Sequence, residues 1–266
     1  MTIALAVLVG GACGPGRTTY ARYPGATPTF DRATSTAPAL EVADKVLAAA
    51  GGQAGWDRAK QIRWKQTVTL EGTVRSSGEH AWDRWNARHY ARLDRPEGGG
   101  VSVMYDFFGD FNAAYTESAS GIRQMLPSDE RAAAITIARK AWGTDANIMC
   151  MPFLLEEPGT KLEYVDVVRD GEAAYHHLKV TFDAKDTART GLVFHVFVDQ
   201  TSNLIYRVEL ERGGGERIGY LLQDWTTVDG LKFPAVRKNI GSGEIVTAKE
   251  LTISEPQDSL FMAQVK

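Results

Sequence analysis

The chain has 266 residues, with 30 Lys and Arg against 33 Asp and Glu, and a formal charge of −3. At 44% hydrophobic and 24% charged residues it has the composition of an ordinary globular protein. This excludes a disordered acidic protein, a collagen-like fibre and a disulfide-stapled miniprotein, and speaks against a dedicated nucleic-acid binder, which carries a basic excess. No apolar run reaches the roughly 18–20 residues that a membrane-spanning helix needs.

The amino terminus reads MTIALAVLVGGAC: Ile3 to Val9 are all apolar, small residues follow, and then comes Cys13. An apolar stretch ending in small side chains is the mark of a secretory signal, here over residues 1–12. The cysteine behind it resembles the lipobox of bacterial lipoproteins, which makes Cys13 the expected lipid-attachment site. Gly10 departs from the usual Leu of that motif, and no Lys or Arg precedes the apolar run. Two other readings stay open: a buried first strand with a core cysteine, and a Cys13–Cys150 disulfide. Residues 13–38 carry Pro15, Pro24, Pro28 and Pro38 among Gly, Ser and Thr, the composition of a flexible tether. Residues 39–266 are then the folded domain. The expected location is the periplasm, with a lipid anchor in the outer membrane favoured because Gly14 stands where an Asp would retain a lipoprotein at the inner membrane.

Leu40, Val42, Ala43, Val46 and Leu47 predict a helix ending at Gly51-Gly52, followed by a short turn with Trp56. The period then changes to 2. Over 64–74, Trp64, Gln66, Val68, Leu70, Gly72 and Val74 share one face of a predicted strand. A second run, 82–93, puts Trp85, Ala87, His89, Ala91 and Leu93 on one side and Arg84, Asn86, Arg88, Tyr90 and Arg92 on the other. Further strands are predicted near 101–108, 112–118, 162–169, 174–182, 192–199, 204–211, 217–227, 231–240 and 244–253. Asp170-Gly171 and Asp229-Gly230 read as hairpin turns. In the middle, Ser128 reads as an N-cap for a helix that ends at Gly143, and a short apolar piece, Met149 to Leu155, stops at Pro158-Gly159.

With about ten or eleven strands and no βαβ alternation, the chain reads as α+β but mostly β, with one antiparallel sheet. So long a sheet curls, and the amino-terminal and central helices are the segments available to cover its concave face.

Several motifs resemble bacterial LolA/LolB-like envelope proteins, in particular an uncharacterised branch of that group. They are the Ala-rich first helix with Gly51-Gly52, Trp56 and Ile62-x-Trp64; Met151-Pro152-Phe153-x-Leu155-x-x-Pro158-Gly159-x-Lys161-Leu162-x-Tyr164; and Val198-Asp199-x-x-x-x-Leu204. The closing Asp224-Trp225-x-x-Val228-Asp229-Gly230-x-x-Phe233-Pro234 and Pro256-x-Asp258-Ser259-x-Phe261 match as well. The resemblance implies an incomplete β-barrel wrapped around helices that plug its mouth, with a hydrophobic cavity that in characterised relatives holds lipoprotein acyl chains.

On this reading Trp64, Val68, Leu70, Trp85, Tyr105, Phe107, Phe153, Phe182 and Phe194 line the cavity, and Met149, Met151 and Leu154 belong to a lid. The expected role is non-catalytic binding of a lipid, a lipoprotein acyl chain or another hydrophobic molecule, without cofactor, metal or nucleic acid. A rival reading is an envelope-protein interaction module with a solid core, acting through Arg84, Arg88 and Arg92. A third reading, a metal-dependent hydrolase, and other catalytic alternatives find little support. His176 and His177 are adjacent in a strand and face opposite ways, no HExxH occurs, Gly-x-Ser-x-Gly is absent, and the glycine clusters at 98–100 and 213–215 lack a phosphate-loop context. Glu156-Glu157 and Glu209-x-Glu211 read as solvated faces.

Overall fold

The computed structural model describes residues 30–107, 111–183, 189, 191–211 and 215–262. In chain order the elements are α1 (Ala37–Ala49), α2 (Gln53–Arg58), β1 (Gln61–Leu70), β2 (Thr73–Asp83), β3 (Arg88–Asp94), β4 (Gly100–Asp106), β5 (Asn112–Glu117) and β6 (Arg123–Met125). The helices α3 (Ser128–Met149) and α4 (Met151–Leu154) follow. Then come β7 (Thr160–Asp170), β8 (Ala173–Phe182), β9 (Val193–Asp199), β10 (Ile205–Glu211), β11 (Arg217–Val228), β12 (Leu231–Asn239) and β13 (Ile245–Ser254).

All strands lie in one antiparallel sheet, ordered β6-β5-β4-β3-β2-β1-β13-β12-β11-β10-β9-β8-β7. The chain therefore meanders outward from β1 to one edge at β6, crosses to the opposite edge at β7, and meanders back until β13 closes on β1. The crossing is made by α3 and α4, so the central helices traverse one face of the sheet.

That face is concave. Helix α3 touches β4, β5 and β12, and β5 and β12 stand six strands apart in the sheet. At about 4.8 Å per strand a flat sheet would separate them by roughly 29 Å, far more than the roughly 10–12 Å diameter of a helix. The sheet can meet α3 from both sides only by wrapping around it. Register shifts supply part of the bend: β1/β13 slips between Arg63 and Lys65, where Glu250 takes a left-handed φ of 50°, and β7/β8 slips between Tyr164 and Asp166.

The predicted architecture is met, and the differences are local. The run 64–74 is not one strand. Glu71 (φ 51°) and Gly72 (φ 76°) form a tight turn, and a separate β2 returns beside β1. The run 82–93 is likewise two strands joined by a turn over Arg84–Ala87, held where Asp83 accepts from the Asn86 backbone N–H (3.0 Å) and side-chain Nδ2 (2.8 Å). The three-residue β6 is too short to leave a period, so thirteen strands stand among the described residues where ten or eleven were expected. Helix α3 starts at Ser128 with Pro127 in the cap position, and it runs through Gly143 to Met149. Burial of Ala146, Asn147, Ile148 and Met149 outweighs the roughly 1 kcal/mol that a mid-helix glycine costs.

The turn at Asp229-Gly230 forms as expected, with φ of 48° and 82°. Next to it the end of α1 comes very close. The Lys232 N–H donates to the Ala50 carbonyl (2.8 Å), and a Cβ on Gly51 would lie 2.3 Å from the Gly230 oxygen, so only glycine fits.

Candidate functional site: the concave face and its helical plug

Two apolar clusters fill the trough. The first gathers Trp56 of α2, Ile62 and Trp64 of β1, Trp82 of β2, Val103 and Tyr105 of β4, Leu231 and Phe233 of β12, and Trp142 of α3. The second gathers α1 (Ala39, Val42, Ala43, Val46) with Leu162, Leu178, Val180, Phe194, Val196, Val208 and Leu222 from β7 to β11. The α3–α4 corner divides between them. Met149, Cys150, Phe153 and Leu154 enter the first cluster, while Ile148, Met151 and Leu155 enter the second. The corner is thus the wedge that joins both halves, and helical periodicity around its axis explains the alternation.

The convex face carries a third, smaller cluster of Ala81, Tyr90, Met104, Ala113, Tyr115 and Phe261, where the carboxy-terminal segment covers β2 to β5.

The amino-terminal half of α3 is held differently from the corner. Only Ala138 is buried before Trp142, Ala134 and Ile135 touch the first cluster from partly exposed positions, and Ile137 is 67% exposed. Among the described residues its polar ties include a contact of Arg131 Nη1 with Met125 Sδ (3.4 Å) and two more to β4. Arg139 Nη2 donates to the Asp106 carbonyl (2.9 Å), and Tyr105 Oη donates weakly to the Ala138 carbonyl (3.5 Å).

A buried polar seam ties the second half of α3 to the floor of the trough. Arg237, on β12 and 1% exposed, donates from Nη2 to Gln66 Oε1 (2.9 Å) and from Nη1 to the Asp145 carbonyl (3.2 Å). Gln66 Nε2 donates to the Asp145 carboxylate (2.9 Å), and Trp64 Nε1 donates to Gln66 Oε1 (3.3 Å). Burial pushes the Arg237 guanidinium down from its ordinary value, and the Asp145 charge opposes that shift.

Beside the seam, His80 stacks on Trp64 with ring centroids 4.8 Å apart, and His80 Nδ1 lies 3.3 Å from His89 Nε2. Burial pushes His80 down to about 4 and His89 well below the ordinary imidazole value, so both are neutral near pH 7.

At the mouth, the Arg84 guanidinium lies 3.5 Å over the Trp56 ring, donates from Nη1 to the carbonyls of Trp56 and Ala59 (2.6 Å each), and contacts Glu157 at 3.4 Å. Glu157 is also 3.5 Å from Arg189 and accepts from Trp56 Nε1 at 3.2 Å. Glu157 is therefore a buried counter-ion and not part of a solvated face. Glu156 shares Arg32 with Asp44, and burial together with the hydrogen-bonded Asp44 carboxyl raises it to about 7.

The expected cavity residues fall into four groups. Trp64, Tyr105, Phe107 and Phe153 lie in the first cluster, and Phe194, with Phe182 packed against it, lies in the second. Val68 and Leu70 are half-buried toward the end of β1. Trp85 sits in the β2–β3 turn with Lys60 4.2 Å over its ring, while its neighbour Trp82 faces inward. Met149, Met151 and Leu154 are fully buried in the wedge.

Arg84 and Arg88 do not form a solvated basic patch. Both are 3% exposed, and Arg88 binds Asp83 at 2.7 Å, contacts Asp258 and lies over the Phe261 ring. Reading 82–93 as one strand put Arg84 on the outer face, whereas the turn over Arg84–Ala87 brings it onto Trp56. Arg88 lies on the outer face as expected, with Tyr90, and the carboxy-terminal segment at Asp258 and Phe261 covers it. Gln66, Asp145 and Arg237 are joined only by tertiary contact, so no local pattern marks them.

Among the described residues no group of three or more His, Cys, Asp or Glu is placed to hold a metal ion, and no helix is long and apolar enough to cross a membrane. Cys150 is fully buried, which pushes its thiol up to about 12. Cys13 and the expected signal lie outside the described residues. Of the expected tether, the described part is attached to the domain: Arg32 pairs with Asp44, and the Thr36 N–H donates to the Leu162 carbonyl (3.0 Å).

No protein-family model and no curated protein matches the chain. Among solved structures it is similar to a DUF1329 family protein from Desulfovibrio piger, at 12% identity and a TM-score of 0.52, over 86% of this chain and 98% of that one. It is also similar to a domain described as an outer membrane lipoprotein-sorting protein from Vibrio parahaemolyticus (9% identity, TM-score 0.48, 84% and 96% covered). A third is a LolA superfamily protein from Nitrosomonas europaea (9% identity, TM-score 0.41, 83% and 97% covered). At this identity what is shared with the Desulfovibrio piger structure is the fold alone.

Proposed function

We propose that the protein is a non-catalytic component of the bacterial envelope that binds an apolar chain, such as a lipid or a lipoprotein acyl group, on the concave face of its sheet. The observation that supports this most is the unequal seating of α3. Its carboxy-terminal half and the following wedge are buried, whereas residues 128–141 lie over β4 and β5 with little more than Ala134, Ile135 and Ala138 beneath them. Lifting that half requires few apolar contacts to be given up, and it would uncover Tyr105, Phe107 and Trp142, with Trp64 and Phe153 deeper in the trough.

In this reading the moving lid is residues 128–141, hinged at Gly143, and Met149, Met151 and Leu154 anchor it. An alkyl chain taking the place of the lid gains about 25 cal/mol for each Å² of apolar surface removed from water. Phe182 and Phe194 would extend the apolar surface toward α1. Acylation at Cys13 and placement at the outer membrane belong to the same proposal, with the envelope setting supported by the resemblance in the sequence motifs.

The test is native mass spectrometry and lipid extraction of gently purified protein, with titration of a fluorescent fatty acid. A stoichiometric apolar adduct, displaced by the fatty acid, is expected. Absence of any adduct, together with no saturable fatty-acid binding, overturns the proposal in favour of a solid-core interaction module.

A further inference from the structure

The convex face of the second half carries a chain of four side chains that the concave-face reading does not use. Asp166 Oδ1 lies 3.1 Å from His177 Nδ1, His177 Nε2 lies 2.9 Å from His195 Nδ1, and His195 Nε2 lies 2.9 Å from Glu211 Oε2. The four come from four neighbouring strands, β7 to β10. Both imidazoles are buried, at 8% and 4% exposure, and Phe197 stacks on His177 with centroids 4.5 Å apart.

Counting protons shows what this arrangement demands. Three hydrogen bonds need three protons between the four groups. An ionised carboxylate only accepts, and a neutral imidazole carries one N–H. Two neutral imidazoles therefore supply two protons. If both point outward to the carboxylates, the central pair of nitrogens is left with two lone pairs facing each other at 2.9 Å. If one turns inward, a carboxylate faces a lone pair instead.

We propose that Asp166, His177, His195 and Glu211 form a proton-binding site that takes up one extra proton from solution, shared between the two imidazoles, and thereby clamps β7 to β10 in a pH-dependent manner. The surrounding charges fit one such proton. Lys179 and Glu209 stand opposite His195 on either side, Arg217 lies 3.4 Å from Glu209 and 3.7 Å from Glu211, and Arg207 lies over Phe197 and 3.3 Å from Glu209. The hydrogen bond from His195 holds the Glu211 carboxyl below its ordinary value, so it stays ionised. Burial, with the neighbouring His195 charge adding to it, pushes His177 down, so a second extra proton is refused. Loss of the shared proton as pH rises breaks the central link. The fully linked state is therefore the low-pH state, and the strands affected are those that seat α1 on the concave side.

The experiment is a pH titration of the full ¹⁵N-labelled chain from pH 5 to 9, following the imidazole nitrogens, with urea unfolding over the same range. His177 and His195 are expected to shift together in one transition above the roughly 6.5 of an unfolded imidazole, and the unfolding constant to rise by up to about tenfold per pH unit across it. Asp166→Asn brings its own N–H, so all three links are satisfied by neutral imidazoles. That variant is expected to fold, to lose the joint transition and to lose this part of the stability slope. Glu211→Gln does the same from the other end and serves if Asp166→Asn fails to fold. Two independent histidine titrations, a slope unchanged in both amide variants, or imidazole signals that respond to a chelator because a metal ion takes the proton's place would each overturn the proposal.

Discussion

Arg237 reaches from the carboxy-terminal part of β12 to the backbone carbonyl of Asp145, near the carboxy-terminal end of α3, 3.2 Å away, and is almost wholly removed from water. Its second tie, to Gln66, places the same guanidinium between the sheet floor and the helix. The helix is thus fastened in its carboxy-terminal half by a charge whose desolvation is tolerable only while those acceptors stay in place.

Replacing that cation should release the fastening. Arg237→Met leaves the Asp145 carbonyl and Gln66 Oε1 each short of a donor, and it is expected to destabilise the fold by about 2–4 kcal/mol. Urea unfolding measures the loss, and hydrogen exchange should show α3 opening before the strands. Uniform loss of protection across the sheet would contradict a latch on α3.

Gly143 offers the opposite change. A Cβ there would meet nothing closer than Leu192 Cδ1 at 4.0 Å, so packing does not require glycine. Gly143→Ala is expected to stabilise the protein by about 0.5–1 kcal/mol through helix propensity. It should also slow uptake of a fluorescent fatty acid, since the lid loses its most flexible point. Faster uptake with a higher Tm would remove Gly143 as a hinge.

Acid should weaken the first cluster. The folded-state value of His80 lies near 4, below the roughly 6.5 of an unfolded imidazole. The stability it contributes is therefore present above about pH 6.5 and is lost as pH falls toward 4, by on the order of 3 kcal/mol. His80→Gln should flatten that loss in urea titrations at pH 7, 5.5 and 4.5, with quenching of Trp64 as a local reporter.

Glu156 pulls the other way. Its carboxyl is raised to about 7 from an ordinary 4.5, so the fold binds a proton that the unfolded chain has released. Stability from this group falls as pH rises through that interval and reaches its minimum above pH 7. Glu156→Gln should remove the decline, seen as a smaller difference in unfolding midpoint between pH 5 and pH 8.

The sequence by itself determined the mostly-β class, the helix with Val42, Val46 and Leu47 on one face, the central helical interruption and the hairpin at Asp229-Gly230. Each of these rests on periodicity or turn chemistry within a few neighbouring residues, which a linear reading can see. Turns built on a non-glycine residue at positive φ, Glu71 and Ala87, were invisible to it, because side chains there disfavour the left-handed region and nothing local announces it. Missing the second of them put Arg84 on the outer face, whereas it packs on Trp56.

Only the tertiary structure decided which polar groups act together. Gln66 and Arg237 are 171 residues apart in the chain, and Asp166 and Glu211 approach the same imidazole pair from strands that are not adjacent. Such links depend on sheet order and register, and register follows from long-range closure of β13 on β1 and from bulges whose position no short pattern encodes. The same closure bends the sheet, and the bend turns a run of alternating strands into a trough that a helix can fill.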